Sequence, residues 1–243
     1  MRRRSDSEAA ASEENGRLEI LFDLDDTLYP ASLGLFRLVS ERILVFIRRT
    51  LNLGEEEARH LQRAYWRRYG TSLYGLMQHH DLDPEPFLEF VHDVPVEEYL
   101  TVDPGLVEIL GRLPARRHVF TNGPSEFAER VLRALGYRDL VEEIFDIRGA
   151  QFVPKPNAAP YDAVVRRLGA RSANVVLVDD ALKNLPPARE RGWRTVWLRQ
   201  PDSFLGGRRG LSVAEAPDFT PDVVLRDLRE IEAALESMPF EPT

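Results

Sequence analysis

The sequence predicts an α/β fold in which a parallel sheet, covered by helices on both faces, carries an inserted all-helical segment. Three features point to it. Short apolar runs recur along the chain, and two of them end abruptly in aspartates. Helical patterns separate the runs, the alternation that lays strands in parallel beneath two helical layers. From Ala31 to Leu100 the pattern is helical only, longer than the single helix a crossover between neighbouring strands needs.

The opening MRRRSDSEAAASEENG is polar, small and charged, too poor in apolar groups to offset its ordering entropy, so residues 1–16 are expected to form a disordered tail. Its Arg2 to Arg4 run reads as a solubilising feature. Leu18 to Phe22 is the first expected strand, and Arg117 to Phe120, Asn174 to Val178 and Thr195 to Leu198 are the others of the core. Within the insert, Phe36, Val39, Ile43, Phe46 and Ile47 form one helical stripe. Ala58, Leu61 and Tyr65 form a second, and Phe87, Phe90 and Val91 a third, with turn signals at Leu53-Gly54 and Asp83-Pro84. Phe127, Val131, Leu132 and Leu135 precede Gly136, and Tyr161, Val164, Val165 and Leu168 precede Gly169, each glycine placed as a helix stop. Pro221 to Met238 reads as a short strand, Val223 to Leu225, followed by an amphipathic helix.

Composition narrows the chemistry. Forty acidic residues against 32 basic ones give a formal charge of −8, which repels a polyanion, so a nucleic acid polymer is excluded as partner. There is no cysteine, hence no thiol nucleophile or thiolate metal site, and any metal must sit on oxygen or histidine. No apolar run reaches the ~18 residues of a membrane span, and the amino-terminal residues lack the apolar stretch of a secretory signal. A cytoplasmic protein is expected.

The candidate site residues lie just past the strands. Asp23 and Asp25, in Asp23-Leu24-Asp25-Asp26-Thr27, follow the first strand at a spacing that aims both to one side if the strand persists. Ligands of open α/β sheets bind at this edge, and two carboxylates there can divide the work of nucleophile and general acid/base. Asp179 and Asp180 follow the strand ending in Val178. Alone they read as a helix cap; beside Asp23 and Asp25 they form a carboxylate cluster that needs a cation, and oxygen-only ligation favours magnesium. Thr121, Asn122 and Gly123 lie beyond Phe120, where a hydroxyl and backbone N–H groups could hold phosphate oxygens, though the same triplet alone is an ordinary turn. Lys155, between Pro154 and Pro156, is a restrained cation able to neutralise a phosphoryl oxygen, or alone a solvent-facing lysine.

Taken together, Asp23 to Thr27, Thr121-Asn122-Gly123, Lys155-Pro156 and Val178-Asp179-Asp180 occur in an order that resembles the haloacid dehalogenase superfamily of phosphatases. The similarity extends through Tyr65-Trp66-Arg67-Arg68-Tyr69-Gly70, Phe90-Val91-His92-Asp93 and Phe145-Asp146, covers about Leu18 to Leu198, and looks like the pyrimidine 5′-nucleotidase branch. The resemblance implies a Rossmann-like catalytic core, residues 17–30 and 101–243, with a helical cap, residues 31–100. It implies that Asp23 attacks phosphorus and that Asp25 protonates the leaving oxygen and then activates water. Mg2+ would be held by Asp23, the backbone carbonyl of Asp25 and Asp180, with Asp179 assisting or exchanging roles with Asp180, and Thr121 and Lys155 would bind the phosphoryl group. The implied substrate is a small phosphomonoester, a nucleoside 5′-monophosphate or else a sugar phosphate or phosphoglycolate. The reading of another class is a non-catalytic protein that keeps the fold as an interaction surface.

Other residues invite weaker readings. Asn184, one turn past Asp180, would orient that carboxylate or face solvent. His79 and His80 point apart on a helix and read as a partly exposed turn, not a metal pair. Tyr65, Trp66 and Tyr69 have the spacing of core packing, with base stacking as the alternative. Gly206 to Gly210 encloses two arginines and reads as a mobile surface loop, with anion binding as the alternative.

Overall fold

The computed structural model describes residues 17–169, 172–199 and 218–240. The expected tail at 1–16 and the glycine-rich segment at 206–210 lie outside the described residues.

In chain order the strands are β1 (Glu19–Phe22), β2 (Arg116–Phe120), β3 (Glu143–Phe145), β4 (Val175–Asp179), β5 (Arg194–Leu198) and β6 (Val223–Leu225). The helices are α1 (Leu35–Leu51), α2 (Glu55–Tyr69), α3 (Ser72–His80), α4 (Pro84–His92), α5 (Val96–Tyr99), α6 (Pro104–Arg112), α7 (Ser125–Leu135), α8 (Ala158–Leu168), α9 (Leu185–Glu190) and α10 (Ile231–Ser237). The sheet order is β3-β2-β1-β4-β5-β6, with every neighbouring pair parallel. This is the Rossmann-like α/β architecture expected, with helices α1 to α6 between β1 and β2.

Alternation along the strands divides the interior into two layers. Ile20, Phe22, Val176 and Val178 face the side covered by Phe127, Val131 and Leu132 of α7. Leu21, Val175 and Leu177 face the other side, against Tyr161 and Val164 of α8 and Leu185 of α9. All residues of β1 and β4 are buried, as central strands between two helical layers must be.

The insert differs from the three stripes read in sequence. A further helix, α3, fills the stretch read as a turn around His79 and His80; both histidines are exposed in its last turn. Thr71 caps it by accepting the Tyr74 N–H at 3.2 Å. Gly75 in its middle lowers helix propensity, and packing is why the helix carries it: a Cβ there would lie 2.3 Å from the Tyr65 ring of α2. The Phe46 ring of α1 meets Phe87 and Phe90 of α4 at 5.1 and 5.7 Å, which closes the insert. In the core, β3 is an extra edge strand of only three residues, and several strand ends move by one residue from their expected bounds.

Candidate active site

The chain builds one half of the sheet from β1 outward to β3 and the other from β4 outward to β6, so strand order reverses between β1 and β4. Such a switch point opens a crevice at the carboxyl ends of the two strands. Phe22 is in register with Val178, and the Asp23 N–H donates to the Val178 carbonyl at 2.9 Å, so both chains leave the sheet side by side. Asp23, Asp179 and Asp180 emerge together, all buried, with carboxylate oxygens within 4.8 Å of one another. Asp26 then turns the chain at φ 62, a left-handed conformation that a short polar side chain tolerates. That turn carries Thr27 back over the strand ends: its hydroxyl lies 3.5 Å from Asp23 Oδ2 and accepts the Asp180 N–H at 3.1 Å.

Lys155 arrives from the segment between β3 and α8 and is fully buried, not solvent-facing. Its ammonium donates to Asp23 Oδ1 at 2.8 Å, Asp179 Oδ2 at 2.8 Å and the Phe120 carbonyl at 2.7 Å, which occupies all three N–H bonds. Burial works against the charged amine, but Asp179 and Asp23 outweigh it and hold its pKa above the ordinary lysine value. Burial also raises the Asp23 carboxyl, to about 6, against the attraction of Lys155 and with the repulsion of Asp179 adding to the rise.

The two neighbouring aspartates have different settings. Asp179 accepts the Asn184 amide at 3.0 Å on both oxygens and the Ala181 N–H at 2.9 Å, in addition to Lys155. Asp180 lines the cavity in front of the cluster. Asn184 therefore orients Asp179, not Asp180 as its sequence spacing suggests. The 3₁₀ turn Leu182–Asn184 precedes α9 and curls the amide back over the end of β4.

Asp25 stands at the cavity wall and accepts a hydrogen bond from the buried Tyr29 hydroxyl, one turn away. Thr121 is buried and accepts the Gly123 N–H at 2.9 Å. Asn122 clasps the Lys155 backbone, accepting its N–H at 2.8 Å and donating to its carbonyl at 3.2 Å. The structure thus gathers Asp23, Asp179, Asp180 and Lys155 into one cluster, with Asp25, Asn122 and Gly123 on the adjoining wall and Thr121 behind it.

A cavity of about 400 Å³ separates this edge from α1, α2 and α4. Val39, Leu44, Leu88 and Val91 supply an apolar side; Gln62, Arg63 and Trp66 supply a polar one. Trp66 is accordingly a cavity residue, whereas Tyr65 packs against the core and hydrogen-bonds His80 at 2.9 Å. His92 also lines the cavity; burial depresses it to about 4, so it is uncharged at neutral pH, and its Nδ1 pairs with the Leu88 carbonyl at 2.9 Å. Sequence reading assigned no role to Thr27, Tyr29, His92 or Lys183. Thr27 and His92 lie in stretches that carry the family resemblance, and Tyr29 has its i+4 spacing from Asp25 as a signal.

The cluster suits a divalent cation. Three carboxylates against one ammonium leave two negative charges in a buried space, all donors are oxygens, and magnesium prefers such ligands.

Comparison with known proteins agrees with this geometry. The family model of haloacid dehalogenase-like hydrolases matches residues 20–192. Phosphate metabolism protein 8 of Saccharomyces cerevisiae is 28% identical over 242 residues, spanning 93% of this chain and 75% of that protein. Glyceraldehyde 3-phosphate phosphatase of Methanopyrus kandleri is 30% identical over 204 residues, spanning 74% of this chain and 83% of that protein. A haloacid dehalogenase phosphatase from Thermococcus onnurineus superposes with a TM-score of 0.54 at 22% identity, covering 90% of this chain and 97% of its own. The L-2-haloacid dehalogenase of Xanthobacter autotrophicus, solved with chloropropionic acid covalently bound, gives 0.57 at 16% identity over 92% and 100% of the two chains. At these identities the likeness to the two structures is one of fold.

Proposed function

The chain belongs to the haloacid dehalogenase-like hydrolases, and on that premise we propose that it is a magnesium-dependent phosphomonoesterase working through an aspartyl phosphate on Asp23. The observation that carries the reading is the buried Asp23–Lys155–Asp179 cluster at the sheet switch point, with Asp180 beside it and Asp25 facing the same cavity.

In this reading Asp23, ionised, forms a bond to phosphorus as the bond to the leaving oxygen breaks, and Asp25 gives that oxygen its proton. Water then attacks the aspartyl phosphate, Asp25 takes the proton of the water, and orthophosphate leaves with Asp23 restored. Mg2+ held by Asp23, Asp180 and the Asp25 carbonyl, with Asp179 assisting, would offset charge between the carboxylate and the phosphoryl oxygens. Lys155 holds Asp23 in place and spreads its charge, and Thr121 with the backbone at Asn122 and Gly123 is the candidate cradle for the phosphoryl group. Tyr29 aims Asp25. A leaving-group acid such as Asp25 is what phosphate ester cleavage needs and halide displacement does not. The helices of residues 31–100 act as the cap over this edge.

The motif resemblance favours nucleoside 5′-monophosphates as substrates, and the cavity volume of about 400 Å³ lies in the range of small-molecule sites. A second reading, a phosphorylated sugar or small acid, is favoured by the 30% identity to a glyceraldehyde 3-phosphate phosphatase. Both are tested by phosphate release from a panel of 5′-nucleotides, sugar phosphates, phosphoglycolate and p-nitrophenyl phosphate, with magnesium or chelator, using wild type and Asp23→Asn. Release is expected to need magnesium and to vanish in the variant. A folded wild type that releases nothing and forms no beryllium fluoride adduct would be a regulator that merely keeps the fold.

A further inference from the structure

The cavity is electrically divided, and its far wall carries information about the substrate. The acids sit at the ends of β1 and β4, while α2 runs away from them along the opposite wall. Gly70, at the carboxyl end of α2, marks the near point: a Cβ there would stand 2.4 Å from the Lys155 carbonyl oxygen. Counting back at about 1.5 Å per residue, Trp66 lies about 6 Å and Arg63 about 10 Å along the axis from that point. Arg59, Gln62, Arg63 and Trp66 recur at three- and four-residue intervals, so one face of α2 forms this wall.

The basic groups that line the cavity, from α2, α1 and the turn after β4, are committed to different degrees. Arg59 pairs with Glu55 at 2.8 Å, and Arg37 lies 3.9 Å from Glu41. The Lys183 ammonium stands 3.3 Å from the Trp66 ring centroid and covers that face of the indole. Arg63 is half-buried and, among the described residues, has no carboxylate within ion-pair distance. Its neighbour Gln62 is pinned to α1 through the Ser40 carbonyl at 2.9 Å and the Ser40 hydroxyl at 3.1 Å, which holds this turn of α2 in place.

A half-buried guanidinium on a cavity wall, with no carboxylate in ion-pair distance among the described residues, gains from an anion that reaches it, and its planar fork matches carboxylate or phosphate. The acidic end repels any second anion, so the charge of a substrate must be divided as the cavity is. Resting on the phosphomonoesterase reading above, and favouring its phosphorylated small acids over nucleoside 5′-monophosphates, we propose that Arg63 is a specificity residue and that the preferred ester carries a second anionic group, carboxylate or phosphate, at the end of the leaving group remote from the scissile phosphoryl.

Matched esters test this. 6-(Phosphonooxy)hexanoate is compared with its carboxamide, and hexane-1,6-diyl bisphosphate with hexyl phosphate. On wild type, kcat/KM is expected to favour the charged member by about tenfold or more, through KM, since a charge-assisted contact is lost in the neutral one. The two pairs separate carboxylate from phosphate as the favoured anion. Arg63→Gln should bring the ratio to about one, and Arg63→Glu should turn preference toward 6-aminohexyl phosphate. Binding of the same esters to Asp23→Asn, by calorimetry with magnesium, reads the ratio without turnover, so failure of the phosphatase reading leaves the specificity reading measurable. Equal affinities within each pair, or a ratio that survives Arg63→Gln, overturns the proposal. So does uridine 5′-monophosphate outranking both anionic esters, because its base offers Arg63 only neutral acceptors.

Discussion

At the scale of the residue, Asp23 is a proton site and, in the proposed mechanism, a cation site, and the two uses oppose each other. Burial lifts its carboxyl from the ordinary 3.8 to about 6 in the metal-free protein. The folded state binds this proton more tightly than the unfolded one, so its stabilising contribution is present below about pH 4 and is lost as pH rises through about 6. A divalent cation competes for the same carboxylate, so magnesium affinity should climb by up to about tenfold per pH unit below the folded pKa and level off above it. Thermal unfolding with chelator or magnesium checks this. The rise in Tm caused by magnesium should be larger at pH 7.5 than at pH 5, and Asp23→Asn should flatten the difference. A magnesium effect independent of pH would place the proton elsewhere. The partners that set this balance were unevenly visible in the sequence. Lys155 stood out between two prolines, yet nothing local revealed that its three N–H bonds are spent on Asp23, Asp179 and Phe120, because those contacts span distant parts of the chain. Helical spacing points Asn184 at Asp180, but the residue sits in a 3₁₀ turn that carries its amide to Asp179.

At the scale of the element, sequence pattern is most informative where one environment governs a whole segment. Ile20 to Phe22 of β1 and Val175 to Val178 of β4 are unbroken apolar runs because both faces are covered, and α7 shows its stripe because one side packs on the sheet. β3 escapes notice because three residues hold no periodicity, and α3 because nine residues with Gly75 in the middle and two exposed histidines at the end show no clear apolar stripe. Tertiary packing decides both. Gly70 shows the same dependence at a place that matters for the site. It ends α2 at φ 92, a conformation L side chains rarely adopt, with the Lys155 carbonyl 2.4 Å from any added Cβ. Gly70→Ala therefore combines backbone strain with a backbone clash, at a cost of about 2–4 kcal/mol. Urea unfolding should show that loss, and turnover in the surviving folded fraction should fall too, because α2 can be relieved only by moving away from Lys155. A variant as stable as wild type would mean that the junction yields without strain.

At the scale of the whole molecule, the proposed cap reading requires the helices inserted after β1 to be held over the sheet edge by contacts that can also let go, and Arg148 is placed to do this. It follows β3 and reaches Glu85 of α4 at 2.7 and 2.8 Å, Glu126 of α7 at 2.8 Å and Asp146 at 3.6 Å. One guanidinium thus ties the insert to the core. Arg148 depresses the Glu85 and Glu126 carboxyls through its hydrogen bonds, so the clasp holds above the ordinary glutamate range and loosens as pH falls through the depressed values. The partners are largely solvent-exposed, which makes each contact worth no more than about 1 kcal/mol and sensitive to salt. That is too little to support the fold and enough to bias an opening equilibrium about fivefold. Arg148→Ala should leave Tm nearly unchanged while hydrogen exchange in α1 to α4 quickens relative to the sheet, and 0.5 M salt should move wild type in the same direction. If exchange in those helices is insensitive to both changes, the insert is held by its apolar contacts alone, and access to the cavity is set by side chains at its rim.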